Sequence, residues 1–270
     1  MSQADPNHVI LRTIHLSKRY GSVVALQSVS FELTRGEIVG LIGDNGAGKS
    51  TLINLIAGAL QPDGGHMLIE GQHHSFHSPR DARRAGVETV YQDLALAPHL
   101  PVWANMFLGR ELRKPTLGGL LSTLDVRAMT ASTNVALATL GIDLGAKVAS
   151  PIGSLSGGQR QAVAVARAVH WGASLLLMDE PTAALGVEQT ARVGTLIKEA
   201  TTAGVGVLVV SHDLPWVQAI CDKTIVLYRG RLVAVLERQA SLETMVGWIT
   251  GSLIPRRSVD IHASPGALGV

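Results

Sequence analysis

Gly43-Asp44-Asn45-Gly46-Ala47-Gly48-Lys49-Ser50-Thr51 follows the apolar run Ile38-Val39-Gly40-Leu41-Ile42 and precedes Leu52-Ile53-Asn54-Leu55-Ile56-Ala57. Strand, glycine loop and helix succeed one another, and the loop matches the P-loop pattern G-x-x-x-x-G-K-[ST]. Each residue type has a physical task there. Gly43, Gly46 and Gly48 let the backbone turn tightly and bring successive N–H groups to phosphate oxygens. The helix starting near Lys49 aims its positive end at the same point. Lys49 suits the β- and γ-phosphates, and the Ser50 hydroxyl suits Mg²⁺.

A P-loop needs acids at a neighbouring strand tip. Ser174-Leu175-Leu176-Leu177-Met178-Asp179-Glu180 is an apolar strand ending in two carboxylates, with Asp179 placed to hold Mg²⁺ and Glu180 to take a proton from an attacking water. Downstream, Val205 to Val210 reads as a buried strand with Ser211-His212-Asp213 at its carboxyl end, where open α/β sheets collect ligand-binding residues. His212 there is a candidate γ-phosphate sensor.

Upstream, Val9 to Ile14, Val29 to Leu33 and Glu37 to Ile42 read as strands, with turns at Tyr20-Gly21 and Arg35-Gly36. Tyr20 is either a turn and packing residue or a flat ring on which a purine stacks; the P-loop downstream favours stacking. His66 to Glu70 and Val87 to Tyr91 are further strands, the second ending in Gln92, with a short helix over 80–85. From 93 to 150 the character changes. Pro98, Pro101, Pro115 and Gly118-Gly119 break the first half, and Leu124 to Leu140 carries apolar residues at helical spacing, which predicts an inserted helical subdomain. Leu155-Ser156-Gly157-Gly158-Gln159 precedes a helical run from Arg160 to His170. Ser156 is a good N-cap, so this helix start is a second potential anion site; on its own the segment would be a cap and a loop. Glu188 to Ala200 reads as a helix, 223–228 and 231–236 as a hairpin, and 241–250 as a last helix.

The chain has 270 residues, of which 16% are charged, and a net charge of +2, so nothing in the balance calls for nucleic acid or an anionic membrane. Positive mean hydropathy with so few charges points to surface used against other subunits. No apolar run approaches the ~20 residues of a membrane span, and the start reads as no secretory signal. One cysteine, Cys221, excludes an internal disulfide and favours a reducing, cytosolic setting.

Tyr20, the glycine loop at 43–51, Gln92, L-S-G-G-Q at 155–159, L-L-L-M-D-E at 175–180 and His212 resemble, in order and spacing, the ATP-binding cassette (ABC) proteins over residues 9 to 250. Tyr91-Gln92-Asp93-Leu94, Asn105 to Glu111 and Thr182 to Val187 are similar to the ATPase subunits of bacterial monosaccharide importers. The resemblance implies an α/β P-loop NTPase fold: a RecA-like core, an N-terminal antiparallel β subdomain and a helical subdomain inserted at about 93–160. Residues 1–250 would form one nucleotide-binding domain and 251–270 a mobile tail. It implies that Tyr20 stacks on adenine, that Lys49 and the amides of Gly43 to Thr51 hold ATP, and that Ser50, Gln92 and Asp179 surround Mg²⁺ and the lytic water. Glu180 would be the base, and His212 would touch the γ-phosphate. Ser156, Gly157, Gly158 and Gln159 would close on the ATP of a second cassette, most simply a homodimer.

Implied partners are an integral membrane permease and, indirectly, an extracytoplasmic sugar-binding protein, with the chain at the cytoplasmic face of the inner membrane. An exporter ATPase or a soluble ABC regulator is the alternative. Gly186 stands where many ABC proteins have an aspartate that connects the two sites, which bears on coupling and not on the phosphate groups.

Overall fold

The computed structural model describes residues 8–91, 93–116, 121–183 and 185–254. β1 (Val9–Tyr20), β2 (Val23–Thr34) and β3 (Ile38–Gly43) lead into α1 (Lys49–Ile56). β4 (Gly64–Ile69), β5 (Gln72–His74), α2 (Pro79–Arg84) and β6 (Val87–Val90) follow. Next come α3 (Val102–Met106), β7 (Arg113–Thr116), β8 (Leu121–Leu124), α4 (Val126–Thr139) and α5 (Gly157–His170). The chain then runs through β9 (Leu175–Asp179), α6 (Val187–Thr202), β10 (Gly206–Val210), α7 (Leu214–Ile220), β11 (Lys223–Tyr228), β12 (Arg231–Glu237) and α8 (Leu242–Ile249).

The order in the central sheet is β12-β11-β3-β10-β9-β6, parallel except for β12, which forms an antiparallel hairpin with β11. The inner strands β3, β9 and β10 are apolar on both faces because both are covered. Ile38 and Ile42 of β3, Leu176 and Met178 of β9, and Val207 and Val209 of β10 enter one core, shared with α4, α5, α6 and α7. Val39, Leu41, Leu175, Leu177, Leu208 and Val210 enter the other, shared with α1 and the antiparallel sheet β2-β1-β4-β5. Gly206 sits against the antiparallel sheet: a Cβ there would run into Ile10 Cδ1 and Leu33 Cδ2.

The structure departs from the sequence expectations in two places. β1 and β2 are each twelve residues long, not six and five. Register shifts, with His15 and Ser28 at positive φ, reset the in-out alternation and so hid the strands' continuity. The inserted region is also not purely helical. Between α3 and α4 lies the two-stranded hairpin β7-β8, pairing Arg113 with Leu124 and Lys114 with Thr123. Pro115, read as a break, is accommodated within it opposite Ser122. Gly118-Gly119 and the tail from 255 lie outside the described residues.

Candidate nucleotide site

β3 delivers the glycine loop to the carboxyl edge of the central sheet, flanked by β11 and β10. Gly46 and Gly48 have φ of 76° and 106°, the region glycine enters without strain. A Cβ on Gly43 would lie 2.4 Å from the Leu227 carbonyl oxygen, and one on Gly48 would lie 2.6 Å from that of Ala25. These two glycines let the loop press against β11 and β2. Gly46, by contrast, faces open space. Within the loop, the Ala47 N–H donates to the Asp44 carbonyl at 3.1 Å, and the Lys49 ammonium folds back to donate to the carbonyls of Gly43 and Asp44 at 2.8 and 3.0 Å. No side chain caps α1, so its first N–H groups and Lys49 form a cationic cradle.

β9 and β10 bring the rest of the site alongside. Their register pairs Asp179 with Val210, which sets Glu180 beside Ser211 and His212. Glu180 adopts φ 50°, held there by its N–H donating to the Val210 carbonyl at 3.0 Å and by its Oε2 accepting from His212 Nδ1 at 2.8 Å. That bond leaves the other imidazole nitrogen on the exposed side of the ring. Burial, and then the adjacent Glu180 charge, raise the Asp179 carboxyl above its ordinary value, with Lys49 pulling the other way. A carboxylate pushed up by an acidic neighbour, with Lys49 opposing, is a donor suited to a divalent cation, so Asp179 fits Mg²⁺ together with a phosphate chain.

Lys49, Glu180 and His212 face one cavity of about 520 Å³, which also takes in Gly43, Asp44 and Asn45. Ser211 and Ile42 also line it, and one side of its wall is apolar: Leu214 from α7 and Val246 and Ile249 from α8. Sequence reasoning missed that wall. Its signal was the near-absence of charge in 242–249, where Glu243 is the single charged residue.

Other candidates lie elsewhere. Tyr20 ends β1 with 47% of its surface exposed and does not line this cavity. Ser156 heads α5 in a capping box: its hydroxyl accepts from the Gln159 N–H at 3.3 Å, while Gln159 Oε1 accepts from the Ser156 N–H at 3.1 Å. With Gly157 and Gly158 this helix start is apart from the phosphate cavity; Gly158 and Gln159 instead border a smaller one of about 180 Å³ beside α6. Gln92 lies outside the described residues.

A further groove, of about 300 Å³, separates the central sheet from the inserted subdomain. In it Arg110 bridges to Glu88 at 3.1 Å and lies over Trp171 at 4.8 Å, with Arg83 and Arg167 alongside. The buried Asn105 side chain ties 97–101 to α3 by accepting from the Ala97 N–H and donating to the carbonyls of Ala97, Leu100 and Pro101.

The fructose import ATP-binding protein of Rhizobium meliloti is 44% identical over 250 residues, spanning 92% of this chain and 96% of that protein. The xylose/arabinose import ATP-binding protein of Sulfolobus acidocaldarius is 45% identical over 226 residues, 83% of this chain and 85% of that one. Among solved structures, a nucleotide-free ATP-binding cassette from an ABC transporter superposes with a TM-score of 0.77 at 25% identity, covering 92% of this chain and all of the other. The family model described as ABC transporter matches residues 26–183, which runs from β2 through the glycine loop and the α5 start to the Asp179-Glu180 tip. On that match and those relatives, the chain belongs to the ABC transporter family.

Proposed function

We propose that this chain is the ATP-hydrolysing, energy-coupling subunit of a membrane importer for a monosaccharide. The observation that carries the enzymatic part is the convergence of Lys49, Glu180 and His212 on one cavity at the carboxyl ends of β3, β9 and β10. Lys49 and the uncapped α1 amides bind and orient the phosphates of ATP. Glu180, oriented by His212, accepts the proton of the attacking water. His212 turns its free ring nitrogen toward the γ-phosphate, and Tyr20 takes the adenine. Ser50 and Asp179, with Gln92, would hold Mg²⁺, which when bound neutralises charge on the phosphates.

The α5 start belongs to a composite site. It is a helix terminus already capped by Ser156 but set apart from its own chain's phosphate cavity, so it serves the ATP of a second cassette. The groove with Arg83, Arg110, Arg167 and Trp171 suits a permease segment, and the region around 93–111, braced by Asn105, passes movement to it. Among the described residues no helix is long and apolar enough to cross a membrane, which fits a peripheral subunit at the cytoplasmic face of the inner membrane. Relatives named for fructose and for xylose/arabinose import support a monosaccharide as the cargo class. We place the nucleotide-binding unit at residues 1–250, with 251–270 as an appended tail.

Binding of a fluorescent ATP analogue, phosphate release and co-purification from detergent-solubilised host membranes test these points together. Lys49→Ala should lose nucleotide binding. Glu180→Gln should bind ATP yet release phosphate at least about a hundredfold more slowly, the scale of a lost general base. Normal turnover by Glu180→Gln would remove the base assignment. Recovery of the ATP-loaded Glu180→Gln protein with a multi-span sugar permease supports import; recovery with an exporter, or free in the soluble fraction, overturns it.

A further inference from the structure

Leu94 and Ala95 have φ of 59° and 44°, so two successive non-glycine residues enter the left-handed region directly after Asp93. Side chains disfavour that region, and such a turn persists only where its surroundings hold it. Part of the hold is local. The Leu94 N–H donates to the Tyr91 carbonyl at 2.8 Å, and the Ala95 N–H donates to Asp93 Oδ1 at 3.2 Å. The rest comes from α5: Arg167 donates from Nη2 to the Leu94 carbonyl and from Nη1 to the Ala95 carbonyl, each at 3.4 Å. One planar guanidinium thus spans both carbonyls of the turn, a fork that a lysine ammonium does not reproduce.

Arg167 is kept in this place against its burial. Burial works first against its charge, Glu88 supports it, and Arg83 and Arg110 oppose it again. Glu88 is itself bridged by Arg110, and among the described residues Arg167 makes no ion pair and has these two carbonyls as its hydrogen-bond acceptors. We propose that Arg167 is a positioning residue for ATP hydrolysis: its fork fixes the 94–95 turn, and thereby the chain on the carboxyl side of Gln92. The inference rests on the reading of Gln92 as a ligand of Mg²⁺ and adds to it the residue that steadies its segment. Lys49 and the glycine loop are positioned by β3, with β10 and β9 between it and β6, so nucleotide binding does not depend on the clamp.

Hydrogen exchange over the peptide that holds Leu94 and Ala95, binding of a fluorescent ATP analogue and steady-state phosphate release are measured on the full-length chain. Arg167→Lys and Gln92→Ala are compared with the parent per folded molecule; Arg167→Gln, which buries no charge, serves where Arg167→Lys does not fold. The expected result for Arg167→Lys is faster exchange at Leu94 and phosphate release slowed at least about tenfold, with analogue affinity within about twofold of the parent. Ala95 is exposed, so Ala95→Gly removes little packing, and glycine enters the left-handed region without the clamp. Added to Arg167→Lys, it should speed phosphate release at least about threefold. Parent-like exchange and release in Arg167→Lys, beside slow release in Gln92→Ala, overturn the proposal and leave the Gln92 reading standing. Slow release that Ala95→Gly does not recover overturns it too, because the fault then lies outside the turn. Parent-like release in Gln92→Ala removes the Gln92 reading, and with it the purpose of the clamp.

Discussion

Glu180 shows how one residue is held against its own preference. A non-glycine residue at positive φ is strained by about 1–3 kcal/mol, and this one is kept there by a backbone bond to β10 and a side-chain bond to His212. Both restraints come from the end of β10 and the two residues after it, Val210 and His212, so the proposed base is aimed by the sheet and not by its own segment. Glu88 presents a different electrostatic case. Burial raises its carboxyl above the ordinary value of 4.5 even though Arg110, Arg83 and Arg167 oppose the shift. A carboxyl raised in the folded state contributes stability that is present below its unfolded value and lost as the pH rises through the folded one. Urea midpoints of the parent and Glu88→Gln, compared from about pH 4.5 to neutrality, should therefore shift in favour of the variant as pH increases. A constant difference would mean that the arginines just balance burial, and a shift in favour of the parent that they outweigh it. The loop at 43–51 was legible because its chemistry is local, whereas the Glu180–His212 bond needed a register that no single segment carries.

Among elements, β10 carries the tightest fit. Its first residue, Gly206, meets Ile10, Leu33 and the Thr34 carbonyl, so the join between the parallel and antiparallel sheets depends on a missing methyl group. Gly206→Ala should destabilise by about 1–3 kcal/mol through overpacking, read as a lower urea midpoint with ATP affinity per folded molecule little changed. An unchanged midpoint would show that the sheets separate easily there. The long β1-β2 pair and the β7-β8 hairpin were the elements least visible beforehand, each for a physical reason. Bulges at His15 and Ser28 break the alternation by which a strand is recognised, and Pro115 resembles a terminator until its partner strand is in place.

At the scale of the whole molecule, the division of labour between the two anion-binding helix starts dominates. The α1 start opens into the phosphate cavity of its own chain, and the α5 start does not. Ser156→Arg should accordingly leave nucleotide affinity within about twofold while abolishing steady-state phosphate release, because it obstructs only the surface offered to another cassette. Retained hydrolysis would mean that the α5 start takes no part in the site.

The sequence by itself determined the phosphate loop, the acids at the end of β9, the candidate sensor at the end of β10 and the family resemblance, because strand-loop-helix chemistry is written in adjacent residues. Tertiary structure alone decided that Glu180 and His212 are bonded and that Leu214, Val246 and Ile249 wall the site. Those facts depend on which strands are neighbours and which helix face is covered. Sheet order and packing set both, and neither is encoded within any one stretch of the chain.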